Sequence, residues 1–258
     1  MDTVSILAWC RAMVFVGALP VLAAVSAAVA FGGSVSVPAD ADDNNDPLER
    51  FNRAMFAFNE TFDAWLLKPV ARAYDATLPR PIKLGVANFF SNLAQPGIAL
   101  NNVLQSKFEQ GARDTGRFAV NTTLGLLGVL DVAQDMGLEP HEEDFGQTLA
   151  VWGVGEGPYI VWPIIGPRNL RDSVGWVGDL RTYPAGYIED DPTRWGMRAL
   201  DIVDIRARLL PAEKVLEAAA GEDKYIFVRA AYRQRRLYLI HDGQPPRERF
   251  FDDEPGAR

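Results

Sequence analysis

The segment that begins at Asp46 constrains the fold most, because its apolar side chains recur at helical spacing. The apolar positions, three or four residues apart, are Leu48, Phe51, Met55, Phe58, Phe62 and Trp65. This spacing places them on one face of an α-helix. Asp46-Pro47-Leu48-Glu49 is a typical helix start, since the Asp46 carboxylate can cap free amides and Pro47 suits the first turn. Such a face packs into a protein core or contacts lipid, and the sequence leaves both interpretations open.

Amphipathic patterns continue along the chain and predict a mainly α-helical fold. They occupy residues 86–93, 98–104, 107–127, 193–220 and 222–239. Ser106-Lys107-Phe108-Glu109 has the pattern of a capping box, and the prolines at 69, 96 and 211 predict kinks or ends of helices. Gly125 and Gly128 either let another backbone approach closely or mark a fraying helix.

A glycine-rich segment interrupts this helical pattern. Apolar and aromatic runs at 148–152 and 158–166 flank Gly153, Gly155 and Gly157. Two such runs around a glycine turn predict a β-hairpin. Both faces of each arm are apolar, so the hairpin is expected to pack against an apolar surface. A phosphate-binding loop is excluded, because no Gly-Lys-Ser/Thr follows the glycines.

The two ends of the chain differ from its centre. Residues 1–30 combine Arg11 with a long apolar run and a small-residue end at Ala28-Val29-Ala30. This pattern predicts a secretory signal peptide, with an uncleaved membrane anchor as the alternative. Residues 31–45 are small and acidic and predict a flexible tether, while 244–258 predict a disordered tail. The folded domain is therefore expected over 46–243.

Composition excludes several functions. The net charge of −8 argues against binding to nucleic acid, which needs a basic surface. One cysteine and two histidines leave no material for a disulfide framework and almost none for a zinc site. The sequence lacks a Gly-x-Ser-x-Gly nucleophile elbow, a Walker loop and a dinucleotide fingerprint. We therefore expect no enzyme activity and no cofactor.

The acidic cluster His141-Glu142-Glu143-Asp144 has two interpretations. A histidine among carboxylates could bind a metal or act as a general base. Because the cluster follows Pro140 in a polar stretch, a solvated loop is the expected outcome, and no metal site is predicted.

Several ordered stretches resemble one known family. They are Asn45-Asp46-Pro47-Leu48-Glu49-Arg50-Phe51-Asn52-Arg53, Phe56-Ala57-Phe58-Asn59, Arg117-Phe118-Ala119-Val120-Asn121-Thr122-Thr123-Leu124-Gly125, Phe145-Gly146-Gln147-Thr148-Leu149, Gly153-Val154-Gly155-Glu156-Gly157-Pro158-Tyr159 and Tyr232-Arg233-Gln234-Arg235. Over about 45–240 the chain resembles the MlaA/VacJ family, the outer-membrane component of a bacterial phospholipid-trafficking system.

The resemblance implies a fold and a function. The fold would be a ring-like bundle of amphipathic helices with one glycine-rich β-hairpin, in the inner leaflet of the outer membrane beside a porin trimer. Such a protein removes phospholipids that have strayed into the outer leaflet through an amphipathic channel. It passes them to a periplasmic lipid-binding shuttle protein, which maintains lipid asymmetry.

The resemblance also implies roles for particular residues. The family's gating hairpin corresponds to Gly153, Gly155 and Gly157, and a stretch that affects the direction of lipid flow corresponds to Ala57-Phe58. We expect the lipid path or membrane face to include the first-helix residues Phe51, Met55, Ala57, Phe58, Phe62 and Trp65. Because the protein is acidic, headgroup contact is expected to be local, through Arg117 or Arg171.

One feature departs from the family pattern. Family members commonly carry a lipidated cysteine just after the signal, whereas Cys10 precedes the apolar run and no cysteine follows it. Attachment through amphipathic helices, porin contact or an uncleaved anchor is expected instead. Two other functions stay open, namely a structural or porin-partner protein that moves no lipid, and a phospholipase whose nucleophile the sequence does not reveal.

Overall fold

The computed structural model describes residues 46–219, 221 and 223–245. The predicted signal peptide or anchor at 1–30 and the tether at 31–45 lie outside the described residues, as does most of the predicted tail at 244–258.

The described chain is mainly α-helical, as predicted. Helix α1 (Glu49–Phe62) continues through a π-helical segment (Asp63–Leu67) into α2 (Lys68–Thr77). Next come α3 (Arg80–Leu104), α4 (Phe108–Thr123), the short α5 (Val132–Asp135) and α6 (Phe145–Val151). Strands β1 (Tyr159–Trp162) and β2 (Gly166–Asn169) form an antiparallel hairpin. The chain ends in α7 (Leu170–Thr182), a 3₁₀ turn (Pro184–Tyr187), α8 (Asp191–Ala219) and α9 (Lys224–Ile240).

The predicted position of the hairpin is wrong, although a hairpin is present. Residues 148–151 belong to α6, because the Asp144 side chain caps that helix by accepting a hydrogen bond from the Gln147 N–H at 2.8 Å. The observed hairpin pairs Tyr159 with Asn169 and Trp162 with Gly166. Its turn therefore lies at residues 163–165, and 153–157 form the loop that leads into β1.

At Pro69, Pro96 and Pro211 the sequence predicted a kink or an end of a helix, and the chain stays helical through all three. Pro96 lies inside α3 and Pro211 lies inside α8. Pro69 follows the π-helical segment, a local widening that accommodates a missing hydrogen bond. The capping box predicted at Ser106 is also absent, since Ser106 adopts a φ of 65° and the residue at the N-cap position is Lys107, whose side chain forms no capping hydrogen bond. Contacts of α3 with α4, α6 and α8 explain why tertiary packing overrides these local signals.

The contacts between elements form a closed circuit. Helix α1 contacts β1, β1 pairs with β2, β2 contacts α9, and α9 contacts α6. From there α6 contacts α3, α3 contacts α8, and α8 contacts α2, which leads back to α1 through the π-helical segment. This order of contacts agrees with a ring-like bundle.

Two asparagine side chains attach the hairpin to α1. The Asn52 amide donates to the Tyr159 carbonyl at 3.0 Å, and its oxygen accepts from the Val161 N–H at 2.8 Å. About two turns further along α1, the Asn59 amide donates to the Trp162 carbonyl at 2.9 Å, and its oxygen accepts from the Ile164 N–H at 2.6 Å. The free edge of β1 is therefore paired by side chains where a further strand would otherwise be needed.

Replacing Asn52 should destabilise the fold strongly. Asn52 is completely buried, so Asn52→Ala leaves backbone groups of β1 without partners or water, at a cost of about 2–4 kcal/mol. Asn59→Ala is the matched control, because Asn59 is partly exposed and water can replace its contacts at about 1 kcal/mol or less. Denaturant unfolding measures the free energy of unfolding of each variant. Equal losses for the two variants would contradict the expectation that Asn52 contributes more than Asn59.

Candidate functional site

The surface of the protein carries many large apolar side chains. Trp65 is 84% exposed, and others lie on almost every element. They include Phe51, Phe58, Leu66, Val70, Ile82, Leu84, Phe108, Leu124, Leu126, Leu127, Met136, Trp152, Leu170 and Val174. Apolar exposure on this scale marks a surface that contacts lipid or another protein. None of the described helices combines the length and apolar character needed to cross a bilayer.

The predicted apolar face of α1 divides into two. Phe51, Phe58 and Trp65, each seven residues apart, are exposed, as is Ala57. Met55 packs against the cluster of Tyr159, Val161, Tyr225 and Tyr232, and Phe62 packs against Leu67, Ile202 and Leu209. The core interpretation is therefore confirmed for Met55 and Phe62, and lipid contact by the exposed residues stays a prediction. One edge of the stripe is core and the other is free to contact lipid.

An apolar loop at residues 124–130 extends this surface. Leu126 is 67% exposed, and both Leu126 and Leu127 adopt positive φ, at 53° and 60°. Backbone hydrogen bonds hold the loop, from the Gly128 N–H to the Asn121 carbonyl at 2.8 Å and from the Leu130 N–H to the Gly125 carbonyl at 2.9 Å. The loop is thus a closed, preorganised apolar projection.

The two glycines of this loop allow close approaches. A Cβ at Gly125 would lie 2.2 Å from the Leu130 carbonyl oxygen, and one at Gly128 would lie 2.4 Å from the Asn92 Cβ on α3. Close approach is therefore the correct interpretation of this pair, although both glycines follow α4 and do not lie within it.

Ion pairs hold the interior together. Arg117 on α4 is only 2% exposed and binds both carboxylate oxygens of Asp131, at 3.0 and 2.9 Å. Arg206 on α8 binds Asp63 of the π-helical segment as a two-nitrogen fork, from Nε to one carboxylate oxygen at 2.7 Å and from Nη2 to the other at 2.8 Å, whereas Arg117 reaches both Asp131 oxygens from Nη2 alone. Ion pairs of nearly buried arginines fix the relative position of the elements that carry them.

The arginines expected to contact headgroups have partners within the protein. Arg117 holds Asp131 and also donates to the Leu138 carbonyl. The buried Arg171 donates from Nε to Asp172 at 3.0 Å. These contacts give both arginines structural roles, and their contact with lipid remains a prediction.

The glycine loop at 153–157 is hydrogen-bonded at both ends, and at its start the Val154 N–H donates to the Leu149 carbonyl at 2.9 Å. The Arg171 N–H donates to the Glu156 carbonyl at 3.1 Å, and the Leu170 N–H donates to the Pro158 carbonyl at 3.0 Å. Gly153 adopts a φ of 87° with open space around it, and Gly157 adopts a φ of 65° against Leu170. Gly155 has open space and no positive φ. Gly153 and Gly157 therefore allow the positive φ at the two ends of the loop. The gating role of the loop stays a prediction.

The acidic cluster at 141–144 is not a solvated loop, contrary to expectation. His141 Nδ1 lies 3.0 Å from the buried Asp114 carboxylate, and Glu142 accepts from Arg235 at 2.5 Å. Glu143 accepts from Gln105 at 2.6 Å and from Lys107 at 2.8 Å. The cluster thereby connects α4, the turn between α3 and α4, and α9. Among the described residues, no group of histidine and carboxylate ligands is arranged to hold a metal ion.

A cavity of about 390 Å³ lies beside this cluster, between α3, α6, α7, β2 and α9. Arg236 forms part of its wall and donates to Asp144 at 2.5 Å and to Asp172 at 3.0 Å. The Tyr232 hydroxyl donates to Asp172 at 2.6 Å. Burial alone would raise the pKa of Asp144, yet the Arg236 charge holds that pKa below its ordinary value.

Two further groups that line the cavity are less well satisfied. Burial lowers the pKa of the Arg168 guanidinium, which lies 5.3 Å from the centre of the Trp176 ring. Burial, helped by the neighbouring Asp144 charge, raises the pKa of Asp179 to about 7. Perturbed groups at a cavity are characteristic of functional sites.

Comparison with known proteins decides the family. The sequence pattern of the MlaA lipoprotein family matches residues 44–239. The chain belongs to the MlaA lipoprotein family. The intermembrane phospholipid transport system lipoprotein MlaA of Escherichia coli K12 is 37% identical over 218 residues, which cover 82% of this chain and 85% of that protein. An uncharacterised protein of Rickettsia typhi is 37% identical over 193 residues, covering 74% and 76% of the two chains.

A solved structure agrees with this assignment to the MlaA family. It concerns the structural basis for maintenance of bacterial outer membrane lipid asymmetry, and it superposes with a TM-score of 0.68 at 37% identity. The match covers 76% of this chain and 98% of the other. The predicted resemblance to MlaA proteins is thereby confirmed.

Sequence reasoning about this MlaA family member missed several residues of the site. Asn52 and Asn59 lie seven residues apart on a helix, and this polar spacing within an apolar stripe was a usable signal. Arg168, Asp179 and Arg236 gave no such signal, because only the fold brings these distant positions to one cavity.

Asp179 predicts an unusual pH dependence. Its pKa is raised to about 7 in the fold, whereas an unfolded aspartate titrates near 3.8. The folded state therefore binds more protons between these values, and the Asp179 contribution to stability falls as the pH rises from about 4 to 7. Asp179→Asn removes this penalty.

We expect Asp179→Asn to raise the Tm by roughly 4 °C or more at pH 8 and to change it much less at pH 5. Thermal unfolding at the two pH values measures the difference. Asp75→Asn, at an exposed pair with Lys83, is the control that should show no such contrast. If Asp179→Asn were less stable than the parent at pH 8, the claim that the ionised Asp179 carboxylate destabilises the fold would be wrong.

Proposed function

We propose that this protein removes mislocalised phospholipids from the outer leaflet of the bacterial outer membrane and passes them to a periplasmic lipid-binding shuttle protein. The observation that carries the proposal is that many large apolar side chains are exposed while many polar and charged side chains are buried. Membership of the MlaA family, with relatives named for intermembrane phospholipid transport, supports phospholipid as the cargo.

The physical task fits these features. Two acyl chains that pass through water expose about thirty methylenes, at roughly 0.8 kcal/mol each. A continuous apolar route lowers that barrier without a source of energy. Exposed residues such as Phe58 of α1 and Trp65 of the π-helical segment would line the route or the membrane face, and the polar cavity would suit a headgroup. No enzyme activity and no cofactor are part of the proposal.

We place the protein on the periplasmic side of the outer membrane, in the inner leaflet and beside a porin trimer. An apolar surface distributed over many elements suits a protein embedded in one leaflet, where exposed side chains meet acyl chains. The loop at 124–130 would contribute to this embedding. Export by the signal peptide at 1–30 belongs to the same proposal.

The apolar loop gives a direct test of the embedding. Leu126→Asn/Leu127→Asn should detach a measurable fraction of the protein from membranes, because asparagine keeps the positive φ but contributes no apolar area. Fractionation of cells and flotation with phospholipid vesicles measure the effect. The control is Leu126→Met/Leu127→Met, which keeps the apolar area and should stay bound. Equal membrane binding of both variants would contradict the proposal that the loop contacts the membrane.

The glycine loop tests transport itself. Deletion of the gene should raise outer-leaflet phospholipid, and the wild-type gene should reverse the rise. Gly153→Pro/Gly155→Pro should fail to do so, since proline cannot adopt the φ of 87° seen at Gly153 and stiffens the loop. Gly155→Ala is the matched control and should restore asymmetry, because open space surrounds that position.

The outcomes separate this proposal from its competitor. A structural or porin-partner protein that moves no lipid would leave outer-leaflet phospholipid unchanged on deletion. If deletion raises outer-leaflet phospholipid and the proline variant reverses the rise as well as wild type does, transport is supported. The gating role of Gly153, Gly155 and Gly157 is then contradicted.

A further inference from the structure

The cavity beside α9 holds a cation that its neighbours leave unsatisfied. Arg235 is paired with Glu142, and Arg236 is paired with Asp144 and Asp172. Within the described ranges, no hydrogen bond or ion pair reaches the Arg168 guanidinium, and its Nε is buried without a partner. The nearby Trp176 ring packs against the guanidinium but cannot accept its five N–H donors in full.

The same cavity holds a carboxyl group without a cation. Asp179 Oδ1 accepts from the Phe145 N–H at 2.9 Å and from the Asn101 amide at 3.2 Å. In the described part of the chain, no lysine or arginine forms an ion pair with Asp179. Neutral donors compensate a buried carboxylate less well than a positive charge would.

The two groups lie in one electrostatic environment, since the Arg168 charge lowers the pKa of Asp179 even though burial raises it further. They do not form a pair with each other. A simple anion would satisfy Arg168 but repel Asp179, Asp144 and Asp172. A simple cation would satisfy Asp179 but repel Arg168. A ligand that carries one positive and one negative group satisfies both.

We propose that this cavity binds a zwitterionic phospholipid headgroup, with the phosphate against Arg168 and a primary ammonium against Asp179. Guanidinium groups match phosphate in shape and charge, and an ammonium donates well to a carboxylate. The volume of about 390 Å³ is sufficient for a small-molecule site. Ala94, Ile98 and Leu239 supply apolar wall for the glycerol end. The inference rests on the proposed function for its choice of a lipid.

Calorimetry on the purified full chain, in detergent free of phospholipid, tests the site with water-soluble probes. The probes are glycerophosphoethanolamine, inorganic phosphate and ethanolamine. Glycerophosphoethanolamine should bind most tightly, and Arg168→Gln and Asp179→Asn should each weaken it about tenfold or more. Binding of inorganic phosphate should depend on Arg168 alone, and binding of ethanolamine should depend on Asp179 alone.

Matched controls keep the test specific. Arg113→Gln and Asp75→Asn change the same residue types at exposed ion pairs outside the cavity and should leave binding unchanged. Arg168→Lys keeps the charge and should recover part of the affinity, which separates loss of the site from loss of fold. Circular dichroism of each variant supports the comparison.

Three results would overturn the inference. The first is absence of glycerophosphoethanolamine binding, and the second is binding that both cavity variants leave intact. The third is phosphate binding as tight as that of the zwitterion and indifferent to Asp179, which would make the cavity a site for free anions. Because binding is measured on purified protein, these outcomes leave transport to the cellular assay. A failed cellular assay with intact headgroup binding would overturn the proposed function alone.

Discussion

Pairing of buried charges is the constraint on which the structure depends. Arg236 illustrates it, since this one side chain on α9 joins the cap of α6 through Asp144 to the first turn of α7 through Asp172. Removing Arg236 would leave the Asp144 carboxylate without its ion-pair partner, which costs several kcal/mol. The described apolar clusters are small by comparison, and large apolar residues lie outside. Polar contacts therefore supply the specificity that a large apolar core usually supplies.

The arrangement of apolar side chains outside and paired polar groups inside connects the fold to its proposed function. A protein that embeds in one leaflet gains nothing by hiding its apolar side chains, because acyl chains solvate them. Its polar groups must then find partners inside, and asparagine does this for the hairpin at Asn52 and Asn59. The same principle leaves room for a polar cavity next to an apolar surface, which is the combination that an amphipathic cargo requires.

Local sequence patterns predicted some features and misplaced others. The periodicity of α1 is confirmed, and Gly125 and Gly128 do allow close approach. The hairpin was misplaced because both 148–152 and 159–162 are apolar runs, and only the cap at Asp144 distinguishes helix from strand. Pro96 and Pro211 lie within continuous helices, where packing against neighbours outweighs the lost hydrogen bond.

The sequence by itself determined the helical class, the first helix and its apolar stripe, and the family, because these depend on residues close together in the chain. Tertiary structure alone decided which half of the stripe faces outward and that residues 141–144 are paired. It also brought Arg168 and Asp179 to one cavity. The physical reason is that burial and charge pairing join positions far apart in sequence, and no local period records which element a side chain will meet.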